Sequence, residues 1–87
     1  MTVETNERAV YEIASEIVKH WPKINYAARP YLMGMLTMTS VDDPVGFDSG
    51  RGTILRFLNN AGSFNKRIYV NAPVIKKELN NMLKAAS

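Results

Sequence analysis

Few residues in this chain are of types that perform chemistry, and their spacing decides what chemistry is open to them. His20 is the single histidine, and the 87 residues include no cysteine. A disulfide, a thiolate zinc site, a cysteine nucleophile and a multi-histidine metal cluster are therefore excluded within one chain. Asp42-Asp43 sets two carboxylates side by side, the pairing that acid–base work uses, but no nearby residue tunes one against the other. Asp42, Asp43 and Asp48 also lack the alternating acidic positions and central glycine of a calcium loop. Gly46, Gly50 and Gly52, followed by Thr53, resemble a phosphate-cradling loop that opens a helix. Such a loop needs a lysine beside its Ser/Thr and a buried strand before it. Here Gly52 precedes Thr53 directly and no strand pattern precedes Gly46. A capped helix after a flexible loop is the plainer reading. No catalytic residue, metal ligand or cofactor site is expected, and the chain is not read as an enzyme.

What remains is binding, and two sets of residues are candidates for it. From Pro30 to Val41 there is no charged residue. Tyr26, Tyr31, Met33, Met35 and Met38 lie in or beside that stretch, and aromatic and methionine side chains are favoured at interfaces. They are the candidate contacts with a protein partner or a second copy of the chain; the competing reading puts all of them in the core. The second set follows from charge. Residues 51–87 hold Arg51, Arg56, Lys66, Arg67, Lys76, Lys77 and Lys84 against Glu78 alone, so that part carries +6 of a chain whose net charge is +3. Residues 1–20 carry −2 and residues 21–50 carry −1. Arg51, Arg56, Lys66, Arg67, Lys76 and Lys77 are thus candidate phosphate contacts for a nucleic acid, with Phe64 and Tyr69 as stacking groups. Against this, the basic residues are spread over three elements, and the 62–70 connection is too long for the tight turn of a helix-turn-helix.

The elements that must position these residues read as helices. Thr2 or Thr5 caps the first, with Glu4 and Glu7 near its first turn. Val10, Ile13, Ile17 and Trp21 form its stripe, widened by Ala14 and Val18, and Pro22 ends it. The second spans about Asn25 to Thr39, with Pro30 tolerated early or marking a later start, and is apolar nearly all round. Gly34 would let another helix approach it closely. Asp42-Asp43-Pro44 is a loop, and Asp48 or Ser49 caps the third helix. Ile54, Leu55, Phe57, Leu58 and Ala61 form the buried face of that helix, and Gly62 is its left-handed stop. Phe64, Ile68 and Val70 alternate loosely, as in a short extended piece or an ordered loop. Asn71 caps the last helix, which buries Val74, Ile75, Leu79, Met82 and Leu83. The fold expected is all-α: one domain over 1–87, a compact bundle of about four short helices with an ordered loop before the last.

The block GFDSGRGTILRFLNNAGSF, the final VIKKELNNML and the earlier WPKINYAARPYLMGML together resemble small proteins of unassigned function encoded by bacteriophages and prophages. The likeness is overall rather than a motif, so it carries no site residues. It implies an accessory protein of a mobile element, a group rich in non-enzymatic binders of host or phage proteins. At 46% hydrophobic the chain is ordinary for a globular domain. No run approaches the roughly 20 apolar residues that span a bilayer, and residues 1–8 are polar. The expectation is a soluble cytoplasmic protein with a macromolecular partner and no membrane contact.

Overall fold

A computed structural model describes residues 8–85. The described residues are all-α, with helices α1 (Val10–His20), α2 (Arg29–Met35), α3 (Gly50–Asn59) and α4 (Ala72–Ala85). Each exists because an apolar stripe at helical spacing faces one shared core. Val10, Ile13, Ala14 and Ile17 supply it from α1, Leu32 and Met35 from α2, Ile54 and Phe57 from α3, and Ala72, Ile75, Leu79 and Met82 from α4. Trp21 closes the core from the end of α1, edge-on to Phe57 with ring centroids 6.3 Å apart and 5.2 Å from Phe64. Val18, Leu55 and Val74, read as stripe residues from periodicity, are exposed instead, and Leu58 and Leu83 are half-buried.

Helix boundaries differ from expectation for identifiable reasons. Thr2, Thr5, Glu4 and Glu7 lie outside the described residues, and α1 begins at Val10 behind Ala9, which has no oxygen to cap with. The free N–H groups are met otherwise: Val10 and Tyr11 donate to the carbonyls of Thr39 and Met38, at 3.0 and 2.8 Å. Glu12 reaches back to accept from the Ala9 N–H at 2.8 Å. α2 is half the expected element. The Asn25 side chain accepts from the Ala27 N–H at 3.1 Å and delays the start to Arg29, leaving Pro30 in the first turn, where its missing N–H costs nothing. After Met35 the chain turns tightly yet stays buried through Met38 and Val41. α3 opens on Ser49, whose Oγ accepts from the Gly52 N–H at 2.9 Å. It closes with Asn60 and Ala61 donating to Phe57 and Leu58, not on a left-handed Gly62. Among the described glycines only Gly46 has a positive φ, 62°. The 61–71 connection is a chain of turns and not an extended piece.

Two glycines permit close approaches, Gly34 of α2 to Val45 and α3, and Gly50 of α3 to the 38–43 turn. A Cβ on Gly34 would lie 2.9 Å from a methyl of Val45 and 3.4 Å from a methyl of Thr53. A Cβ on Gly50 would lie 2.2 Å from the Asp43 carbonyl oxygen. The contacts also sort the element ends. The end of α1, the start of α2, the end of α3 and the 61–71 connection meet through Trp21 and through the Asn25 amide, which donates to the Asn60 carbonyl at 2.9 Å. The start of α1, the exit of α2 and the start of α3 meet around Met38–Asp43, and the end of α4 joins them through Arg51, which donates to the Leu83 carbonyl at 3.4 Å.

Candidate interaction surfaces

Among the described residues the largest cluster of paired ionisable side chains is built between α1, α4 and the segments beside them. The Arg8 guanidinium forms a two-pronged pair with Glu78, at 2.8 and 3.1 Å, and donates to Glu16 at 2.6 Å. The Tyr69 hydroxyl donates to the other Glu16 oxygen at 2.6 Å, and its ring stacks on His20 with centroids 3.9 Å apart. Each group is shifted by its neighbours. The Tyr69 hydroxyl and Arg8 hold the Glu16 carboxyl below the usual range, Glu16 pushes the Tyr69 phenol up, and Glu78 and then Glu16 raise the Arg8 guanidinium. Carboxylates that each receive charged hydrogen bonds are poor bases, so the arrangement ties α1, α4 and the connection together rather than offering a reactive group. Sequence analysis missed this network, because its partners lie far apart along the chain and no spacing rule joins them.

The adjacent carboxylates are engaged in the same way. Asp43 accepts from the N–H groups of Thr39 and Ser40, at 2.7 and 3.2 Å, and from the Ser40 hydroxyl at 3.2 Å, which keeps its carboxyl below the usual range. Asp42 pairs with Arg51 at 2.8 Å. Both hold the loop that covers the start of α3, so the glycine-rich turn there faces backbone and carboxylates, a poor setting for a phosphate. A cleft of about 380 Å³ adjoins them, lined partly by Arg8, Asp42 and Met82, but its two charged side chains are already paired. Among the described residues no three His, Cys, Asp or Glu side chains cluster closely enough to hold a metal ion.

The protein-binding candidates divide. Met35 and Met38 are fully buried and belong to the core, which corrects their reading as contacts: they extend the Leu32 face inward. Tyr31 is half-buried against the same core. Tyr26 and Met33 are exposed, Tyr26 at 91%. They line a shallow groove of about 410 Å³ with Ala27, Arg29 and Pro30, none of them expected as a contact from the sequence. Their signal was available in the alternation of small, basic and aromatic residues at the start of α2. Phe47, at the tip of the tight turn closed by Val45 and Asp48, is also fully exposed and was also missed.

The six basic candidates do not converge. Arg51 is held by Asp42 and lies at the opposite end from Lys66 and Arg67. Arg56 is exposed in the last turn of α3, where it suits the helix dipole. Lys76 is half-buried, which pushes its amine down, while Lys77, one residue on, is exposed on a different side of α4. Neither proposed stacking ring is open: Phe64 is fully buried, and Tyr69 is covered by His20. The chain matches no protein-family model, no curated protein and no solved structure. The surfaces therefore have to be read from their own chemistry. No described helix is long and apolar enough to cross a membrane.

Proposed function

We propose that the protein is a non-catalytic interaction module, a compact bundle of its four helices that docks a protein partner on the groove at the start of α2. One observation carries this reading: an aromatic ring, Tyr26, stands 91% exposed beside Met33 over an apolar groove. An exposed tyrosine with an apolar floor is the kind of group that anchors an interface. Arg29 is the charged residue lining the groove, and no acid lines it. The partner that complements it presents an apolar anchor rimmed by carboxylates. A second copy fits less well, because a two-fold contact would bring Arg29 toward its own copy. The overall likeness to phage and prophage proteins supports placing this partner among phage or host proteins of a cytoplasm.

The test places a photo-crosslinking phenylalanine analogue at Tyr26 in the native cell. One heterologous adduct is expected, lost when Arg29→Glu reverses the rim charge. Adducts formed only with the chain itself, or an adduct indifferent to Arg29→Glu, would refute the reading.

A further inference from the structure

The connection between α3 and α4 carries a second surface, of different chemistry. Ile68, Val70 and Val74 are exposed there at 47%, 68% and 62%. Lys66 and Arg67 precede them and Lys77 follows, all exposed. Val74 and Lys77 are three residues apart on α4, so they share a face, and it is not the face that buries Ala72, Ile75 and Leu79. No Asp or Glu occurs between residues 61 and 77. Glu16, which the Tyr69 hydroxyl reaches, and Glu78 on α4 are both paired with Arg8. Packing also brings a segment from outside the basic 51–87 part to this connection. The His20–Tyr69 stack and the Trp21–Phe64 contact bring the end of α1 against this connection, and His20 and Trp21 are flanked in sequence by Lys19 and Lys23, both exposed. Among the described residues none of these five cations sits within ion-pair distance of a carboxylate.

We propose that this end of the molecule binds the surface of an anionic lipid bilayer, with Ile68, Val70 and Val74 entering the headgroup–acyl boundary and the surrounding lysines and Arg67 meeting lipid phosphates and carboxylates. Aliphatic side chains gain free energy in hydrocarbon and none against a sugar–phosphate backbone. A nucleic acid would use exposed rings, whereas Phe64 is fully buried and Tyr69 is half-buried with one face stacked on His20. The contact is superficial, since no described helix can span, and it departs from the expectation of no membrane contact, which rested on the lack of a spanning run. It is independent of the groove at Tyr26.

The experiment is co-sedimentation of the full chain with vesicles of phosphatidylcholine alone and with added phosphatidylserine. Pelleting is expected with the anionic vesicles only, and weakening as salt rises. Lys66→Ala with Arg67→Ala should lower partitioning about 30-fold, because each basic residue near such a surface contributes about 1 kcal/mol. Ile68→Ser with Val70→Ser should lower it about tenfold or more, and both double variants should melt like the parent since the four side chains are exposed. Equal pelleting with neutral vesicles, or none with anionic ones, overturns the proposal. So does an aliphatic variant that binds anionic vesicles normally, and so does tight binding of a labelled single-stranded oligonucleotide at physiological salt that only the charge variant weakens. Those last two results would mark a plain polyanion surface.

Discussion

Replacing Gly50 by alanine tests how tightly the 38–43 turn is pressed onto the start of α3. The added Cβ would sit 2.2 Å from the Asp43 carbonyl oxygen, 2.6 Å from the Met38 methyl and 2.7 Å from the Val41 carbonyl oxygen. Even close carbon–oxygen contacts are about 3.3 Å, so the overlap is about 1 Å against the Asp43 oxygen and about 0.6 Å against the Val41 oxygen. The methionine can swing away; the carbonyls move only if the turn moves. That displacement pulls on the Asp43 hydrogen bonds to Thr39 and Ser40 and on the Arg51–Asp42 pair. Overpacking of this kind costs about 1–3 kcal/mol, and a weakened hydrogen bond adds about 1 kcal/mol. Alanine returns at most about 1 kcal/mol of helix propensity. The net is about 1–3 kcal/mol. For a chain of this size that lowers the melting temperature by about 4–24 °C, read by far-ultraviolet circular dichroism. Two controls bracket it. Gly62→Ala, where nothing lies within 4 Å, should stay within about 0.5 kcal/mol of the parent. Gly46→Ala, in open space but at φ 62°, should cost about 1–2 kcal/mol from backbone strain alone. A Gly50→Ala protein that melts with the parent, or with Gly62→Ala, would refute the packing argument.

Phe57 and Leu58 are neighbours in the α3 pattern with different fates, fully buried and half-buried. Phe57→Ala should cost about 3–5 kcal/mol, a large share of the roughly 4–13 kcal/mol expected of a domain this size, and Leu58→Ala clearly less; equal shifts in the urea midpoint would contradict the burial. The Glu16–Tyr69 bond predicts two pH limbs. Glu16 is lowered by folding, so its contribution is present above the unfolded value of about 4.3 and lost as pH falls through the lowered folded value. Tyr69 is raised, so its contribution is present below about 10 and lost as pH rises past that value. Tyr69→Phe should flatten the alkaline limb and move the Glu16 titration upward by carboxyl NMR; an unchanged Glu16 titration would mean the bond is not formed.

Much of the core was legible because it is written locally. Val10, Ile13, Ala14, Ile17 and Trp21 follow one period and all face inward. Ser49 offered its oxygen at the right place, and Pro22 could not continue a helix. The misreadings share a cause: a group satisfied from a distance. α1 looked as if it needed a threonine cap, because nothing in residues 1–9 hints that Met38 and Thr39 provide the acceptors. Met38 looked helical because it is apolar and follows the α2 stripe, yet a turn buries it as fully as a helix would. The candidate surfaces were harder still. Tyr26 and Met33 were legible as a set with Met35 and Met38, but which members face out depends on where α2 stops. The union of Lys19 and Lys23 with Lys66 and Arg67 depends on ring contacts that no charge count along the chain can see.

The way α1 begins has a consequence for how the chain reaches its fold. A helix that caps itself can form its first turn alone and fray freely. Here the acceptors for Val10 and Tyr11 are carbonyls on the far side of α2, so that turn is completed only when a long loop has closed and the exit of α2 has taken its final path. Once closed, the amides of Val10 and Tyr11 are released to solvent only when the 38–39 turn lifts. The start of this helix therefore opens with the core and not with the chain terminus.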